Sequence, residues 1–200
     1  MKKIITGLVA ALVVVGAGVG LWFFLDSVSA AATVGNSKIT TSQVEGSLKA
    51  IIAERKTVST TGMQLAVGPS LSAEVLSYYV ILTLLTHTAA ANGLMVTPEQ
   101  VTARQAAILK QLGSTTKLKS GEVSASIAEA DFSGYVREIL YVEALTTLVE
   151  KNGTSVTNSG TAVQALVRAQ AAKEGVSVNK KYGTWDSKQV TVLAPNVFAK

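Results

Sequence analysis

Few residues in this chain have side chains that could carry out catalysis. The chain has one histidine, His87, and no cysteine. A Ser-His-Asp hydrolase needs a histidine placed between a serine and an acid, and a zinc site needs several His or Cys ligands at helical spacing. A single histidine near the end of an apolar helix is usually a packing or surface residue. We therefore predict no catalytic residue, no metal site and no cofactor.

The remaining candidates for chemistry are acids and two tyrosines. Glu138, Glu143 and Glu150 are typical of the solvent-facing side of one helix rather than of a catalytic pair. Tyr78 and Tyr79 could line a peptide-binding groove, because aromatic side chains are favoured anchors in binding surfaces. They could equally be core residues at helical spacing, and the sequence leaves both interpretations open.

The composition excludes several classes of protein. The formal net charge of the 200 residues is +5, and the Lys and Arg residues are dispersed rather than gathered in a block. A nucleic-acid-binding arm would need such a block, so we expect no nucleic-acid partner. Without cysteine the chain can form no disulfide, and it cannot carry the lipid anchor of a bacterial lipoprotein.

An apolar segment without charges extends from Ile4 to Leu25, after Lys2 and Lys3. As a helix it would be about 33 Å long, enough to cross a hydrocarbon core of roughly 30 Å. The lysines before it predict a cytoplasmic amino terminus and an exported remainder.

Whether this segment is retained or removed stays open. Val28-Ser29-Ala30 carries the small residues that signal peptidase accepts, so cleavage after Ala30 is the alternative to a retained anchor. In either case we divide the chain into residues 1–30, a membrane anchor or signal segment, and residues 31–200, one exported domain.

Local signals predict how the exported domain begins. Gly35-Asn36-Ser37 lies between two short apolar runs, which predicts a β-hairpin over residues 32–40. Thr40 with Gln43, and again Thr97 with Gln100, have the spacing of a helix capping box. A weaker third signal occurs at Thr157.

Apolar residues at helical spacing then predict about five helices. The second is apolar nearly all round and should form the buried centre of the domain. Residues 57–70 should form a loop, and residues 113–121, rich in Ser, Thr, Lys and Gly, a flexible link. The predicted helices cover residues 41–54, 72–92, 97–112, 124–151 and 157–174.

The end of the chain changes to the alternation of strands. Val176–Val178 and Val190–Leu193 should form short strands, and these should join the hairpin in one small sheet. The predicted fold is mainly α, with a small β-sheet formed by the N-terminal hairpin and the C-terminal strands, preceded by a transmembrane or signal helix.

Three motifs in this order resemble a known family. Residues 34–40 (VGNSKIT) resemble a Val-Asn-Gly-x-x-Ile-Thr opening, with the usual Asn-Gly reversed. Residues 89–97 resemble an Ala-x-x-x-Gly-[Ile/Leu]-x-Val-Thr signature that follows a long helix. Residues 176–186 are similar to a Val-x-Val-Asn-Pro-Arg-Tyr-Gly-x-x-Asp ending, with Lys180 and Lys181 in place of Pro-Arg. Together they resemble the SurA N-terminal-like chaperone family, which includes PrsA-type foldases.

The resemblance implies a helical chaperone module over residues 31–200 that holds unfolded or extended polypeptides outside the cytoplasmic membrane. Larger relatives insert a parvulin-type prolyl isomerase domain, for which the short link at residues 113–121 leaves no room. The resemblance therefore favours binding without catalysis. A membrane-tethered protein with one dedicated partner is the alternative, and a prolyl isomerase is disfavoured.

Overall fold

The computed structural model describes residues 29–195. The expected membrane segment, residues 4–25, lies outside them. The described chain is mainly α, as predicted, with six α-helices rather than about five. The helices are α1 (Thr41–Glu54), α2 (Gly68–Ala91), α3 (Pro98–Leu112), α4 (Thr115–Ser124), α5 (Phe132–Lys151) and α6 (Val156–Glu174). The strands are β1 (Ala30–Val34), β2 (Ser37–Thr40), β3 (Val176–Val178), β4 (Thr184–Asp186) and β5 (Thr191–Leu193).

Helix α2 is the centre of the fold, as its sequence predicts. Leu76, Val80 and Leu84 are completely buried, and the helix packs against α1, α5, α6, β1 and β5. Among residues 29–195, α2 alone is long and apolar enough to cross a membrane by length and composition. Its burial among the other elements shows that it is the core helix of this domain.

Both predicted capping boxes are present. Thr40 accepts a hydrogen bond from the backbone of Gln43, and the Gln43 side chain accepts one from the backbone of Thr40. Thr97 and Gln100 form the same pair at α3, with Pro98 in the first turn. The third signal is different, because α6 starts after Ser155, whose side chain forms no cap. Two helix starts are therefore fixed by local hydrogen bonds.

The predicted hairpin forms, and the end of the chain joins it in part. Gly35 has a φ of +54°, which a type II′ turn requires at its first central residue. Strand β1 pairs with β2 on one side and with β3 on the other, so the sheet order is β2-β1-β3. The prediction for the last strand was wrong. Strand β5 pairs with β4 in a separate two-stranded sheet, and β4 lies in the turn-rich residues where no strand was expected.

The two lysines that replace Pro-Arg in the third motif lie next to the contact that closes this end of the domain. The Tyr182 side chain is 1% exposed, and its hydroxyl donates to Glu45 at 2.8 Å. Lys181 donates to the same carboxylate at 2.6 Å, and this hydrogen bond and that of Tyr182 lower the pKa of Glu45. The segment after β3 is thus held against α1.

The prediction of a flexible link at residues 113–121 was wrong. Gly113 ends α3 in the left-handed conformation, with a φ of +79°. Ser114 then caps a new helix, α4, by accepting a hydrogen bond from the Lys117 backbone. The long helix predicted to start near residue 124 starts instead at Phe132. Segment 125–131, which ends in a short 3-10 helix at Glu129–Asp131, separates α4 from α5.

The capping boxes give a first testable prediction. Replacing Thr97 by alanine should lower the free energy of unfolding by about 1 kcal/mol, because the backbone N–H of Gln100 in the first turn of α3 loses its acceptor. Chemical denaturation followed by circular dichroism measures this change. Thr157→Ala is the matched control, since Thr157 forms no cap and should have little effect. An equal loss of unfolding free energy in both variants would contradict the assignment of Thr97 as the N-cap of α3.

Candidate functional site

Three hollows lie around segment 125–131. The first, named the α1 hollow, has a volume of about 510 Å³ and lies between α1 and residues 128 and 130. The second, the α3–α5 hollow, has a volume of about 190 Å³ between α3, α4 and the start of α5. The third, the β5 hollow, has a volume of about 440 Å³ between α2 and β5. Ala125 lines both the second and the third, so these two adjoin.

A partly buried polar network fixes the C-terminal end of segment 125–131. Tyr79 donates a hydrogen bond to one oxygen of the Asp131 carboxylate at 2.8 Å, and Ser47 donates to the other. Tyr78 donates to the Asp131 backbone carbonyl at 3.1 Å. These bonds connect α1, α2 and the start of α5 at one point.

Burial and the neighbouring acid keep both tyrosines neutral. Burial raises the pKa of Tyr79 to about 12. The contact with the Ser47 hydroxyl lowers this pKa in part, and the Asp131 carboxylate raises it. Burial, with Asp131 nearby, raises the pKa of Tyr78 even further. Both hydroxyls therefore keep their protons and remain donors throughout the physiological range.

The end of α1 holds the N-terminal part of the same segment. Arg55 donates to the Ala66 carbonyl at 2.7 Å and to the Ser126 hydroxyl at 3.1 Å. Glu54 accepts a hydrogen bond from the Glu129 backbone at 3.1 Å. Ser126 has a φ of +55°, a conformation that costs energy for a residue with a Cβ. Segment 125–131 is thus held from α1 at several points despite its irregular backbone.

The structure separates the roles of the two tyrosines that the sequence left open. Tyr79 packs against the hydrophobic core and holds the end of segment 125–131 through its hydrogen bond to Asp131. Tyr78 lines the β5 hollow together with Ile81 and Leu193. The groove interpretation therefore fits Tyr78, and the core interpretation fits Tyr79.

The single histidine lies in an arrangement that the sequence did not indicate. His87 Nδ1 lies 2.7 Å from Glu174 Oε2, and His87 Nε2 lies 3.2 Å from the Ser37 hydroxyl. This is the order of contacts found in a Ser-His-acid triad. Acyl transfer also needs a substrate cleft and donors for the oxyanion, and none of the three residues lines a hollow described here. The three residues connect the hairpin, α2 and the end of α6.

Contacts around this cluster show that it is part of the packing. The Gly35 backbone donates to the Gly175 carbonyl at 3.0 Å, so the hairpin turn rests on the end of α6. Gln170 also donates to Glu174, at 2.6 Å. Burial raises the pKa of Glu174, but the hydrogen bonds from His87 and Gln170 outweigh this and hold the pKa below its usual value.

One of the three helix acids is not where the sequence pattern placed it. Glu143 is on the exposed side and forms an ion pair with Arg104. Glu138 is half-buried instead, and burial raises its pKa to about 7. No group of three acidic or histidine side chains among residues 29–195 is arranged to hold a metal ion.

Comparison with known proteins places the chain in a family. The model of the SurA-like N-terminal domain matches residues 1–119, which is more than half of the chain. The chain belongs to the SurA-like N-terminal domain family. The matched residues contain the first two motifs and end inside α4, so the third motif and helices α5 and α6 of this SurA-like domain lie beyond them. No curated protein and no solved structure matches the chain. At the level of the family, the role is that of a chaperone in protein folding.

The Glu174 contacts give a prediction for acid stability. Because the folded state lowers the pKa of Glu174 below the ordinary value of a glutamate, the contribution of Glu174 to stability is present at neutral pH. It is lost as the pH falls through this lowered pKa. Glu174→Gln should therefore lower the melting temperature at pH 7. The difference in melting temperature between this variant and the wild type should shrink below about pH 4. Glu150→Gln, the same acid-to-amide change in α5, is the control for the loss of a carboxylate. A constant difference at every pH would contradict this account.

Proposed function

We propose that this SurA-like domain binds unfolded or extended polypeptides without catalysing a reaction, as a membrane-associated chaperone-like protein on the extracytoplasmic side. The observation that carries the proposal is the set of hollows around segment 125–131. They are open to solvent, lined largely by apolar or small side chains, and lie around a segment that is held by the polar network at Asp131. Apolar recesses of this kind can receive side chains of a chain that has not yet buried them.

The shape of the surface fits weak binding to many sequences. Each hollow is small or shallow compared with the enclosed pockets of roughly 300–1,000 Å³ that bind cofactors and small molecules, so each would take one or two side chains. Several weak sites on one surface retain a flexible chain through their combined effect.

A capture experiment tests the proposal. The full chain, reconstituted in lipid nanodiscs, is mixed with a fluorescent client diluted from denaturant, and the client that stays soluble after centrifugation is measured. We expect near-stoichiometric protection of several unrelated clients, with empty nanodiscs giving none. Failure to protect any client at large excess would contradict the proposal and favour a protein with one dedicated partner.

A pair of variants tests whether the hollows are the binding surface. Leu112 lines the α3–α5 hollow, whereas Val156 is 77% exposed and lines none of the hollows described. Leu112→Ser should reduce client protection severalfold, because an apolar contact of roughly 1–2 kcal/mol is lost. Val156→Ser, which also replaces an apolar residue by serine, should leave protection unchanged. Similar results for both variants would exclude the α3–α5 hollow as a binding surface.

The proposed location has a separate test. The segment at residues 4–25, preceded by two lysines, should place residues 31–200 outside the cytoplasmic membrane. Alkaline phosphatase fused after Lys200 should therefore be active in bacterial cells. A fusion that stays in the membrane at full mass indicates a retained anchor, and a loss of 30 residues indicates cleavage after Ala30. An inactive fusion of normal abundance would contradict export.

A further inference from the structure

The α3–α5 hollow has the size of one apolar side chain. Its walls include Ile108 and Leu112 from α3, Leu118 from α4, and Phe132 from α5, and its volume is about 190 Å³. An apolar cavity of roughly 150 Å³ is enough to hold benzene. A leucine or phenylalanine side chain therefore fits, whereas a folded element does not.

One wall of this apolar hollow carries a carboxylate. Glu122 lines the hollow. The residue lies near the outside of the molecule, but neighbouring side chains cover it, so that it is only 6% exposed. Among residues 29–195, no group donates a hydrogen bond to its carboxylate. The carboxylate oxygens are not fully enclosed, so they can accept charge-assisted hydrogen bonds from a cation that binds at the edge of the hollow.

The charges around Glu122 are mostly negative. Glu54 and Glu129 act on Glu122 from the end of α1 and from segment 125–131, and Lys119 acts from α4. Lys119 Nζ already lies 3.4 Å from the Glu129 carboxylate. Burial first, and then the two neighbouring acids, raise the pKa of Glu122. The hollow thus has an acidic edge on a chain whose net charge is +5.

We propose that the α3–α5 hollow binds polypeptide segments in which a leucine- or phenylalanine-sized side chain lies next to lysine or arginine. The apolar side chain enters the hollow, and the cation donates hydrogen bonds to the Glu122 carboxylate. Arginine is favoured over lysine, because its guanidinium can bind a carboxylate through two parallel bonds. This inference rests on the proposed function and specifies the client segments that the surface selects. Acidic segments are rejected by Glu54, Glu122 and Glu129 together.

Peptide binding tests the charge preference. The full chain in nanodiscs is titrated into three fluorescent peptides of equal length, with Leu-Arg, Leu-Glu or Ser-Arg at the centre of the same Gly-Ser sequence. Anisotropy should show the tightest binding for the Leu-Arg peptide. Glu122→Gln should weaken Leu-Arg binding about tenfold, the usual effect of losing a charge-assisted bond, and should not weaken Leu-Glu binding. Glu150→Gln, an acid-to-amide change in α5 away from the hollow, should change neither.

A second pair of variants fills the hollow without removing a charge. A Cβ at Gly121, which lines the hollow, or at Gly160 in α6 would meet no atom within 4 Å. Leucine at either position should favour the helix, since glycine destabilises a helix interior by roughly 0.5–1 kcal/mol. Gly121→Leu should therefore fold normally and abolish Leu-Arg binding, whereas Gly160→Leu should fold normally and bind like the wild type.

The outcomes separate this inference from the proposed function. Equal binding of Leu-Arg and Leu-Glu, or unchanged Leu-Arg binding by Glu122→Gln or by Gly121→Leu, would overturn the inference even if unfolded clients are still protected. Loss of both peptide binding and client protection in the wild type would overturn the proposed function as well. A preference for Leu-Arg that both variants remove, and neither control affects, supports the inference.

Discussion

The fold depends on the need to cover α2 on every side. A helix that is apolar nearly all round is stable in water only when other elements surround it, and here α1, α5, α6, β1 and β5 do so. Helix α3 packs against α5 and α4 packs against α3, and neither is among the main neighbours of α2. The α3–α5 hollow lies where this outer pair meets α5, so apolar surface remains accessible there without exposing the core.

The features that follow from neighbouring residues could be predicted from the sequence. The boundaries of α1 agree residue for residue, because a capping box fixes its start and its apolar spacing continues to Glu54. Gly35 indicated the hairpin, and the continuous apolar run of α2 indicated its central position. Strands β3 and β5 were recognised by their alternation, and β3 joins the hairpin as predicted. The partner of β5 was not predicted, because β4 lies in residues rich in turn formers.

The features that depend on distant residues could not be predicted. Helix α4 is rich in residues with weak helix propensity, and its Ser114 cap and packing against α3 override that composition. Ser37, His87 and Glu174 come from three separate parts of the chain, so no local spacing signals their contact. The hollow at Glu122 also escaped notice, because the predicted flexible link left no helix on which to place this acid.

The position of β1 in the middle of its sheet has a consequence for the order of folding. Its pairing with β2 is local, but its pairing with β3 joins Ala32 to Val178, nearly the whole length of the domain apart. During synthesis β1 is made first, and one of its edges stays unpaired until α6 and β3 have followed. A contact of such high sequence separation forms late and slowly. A protein proposed to hold incomplete chains therefore keeps one edge of its own strand β1 unpaired until its synthesis is nearly finished.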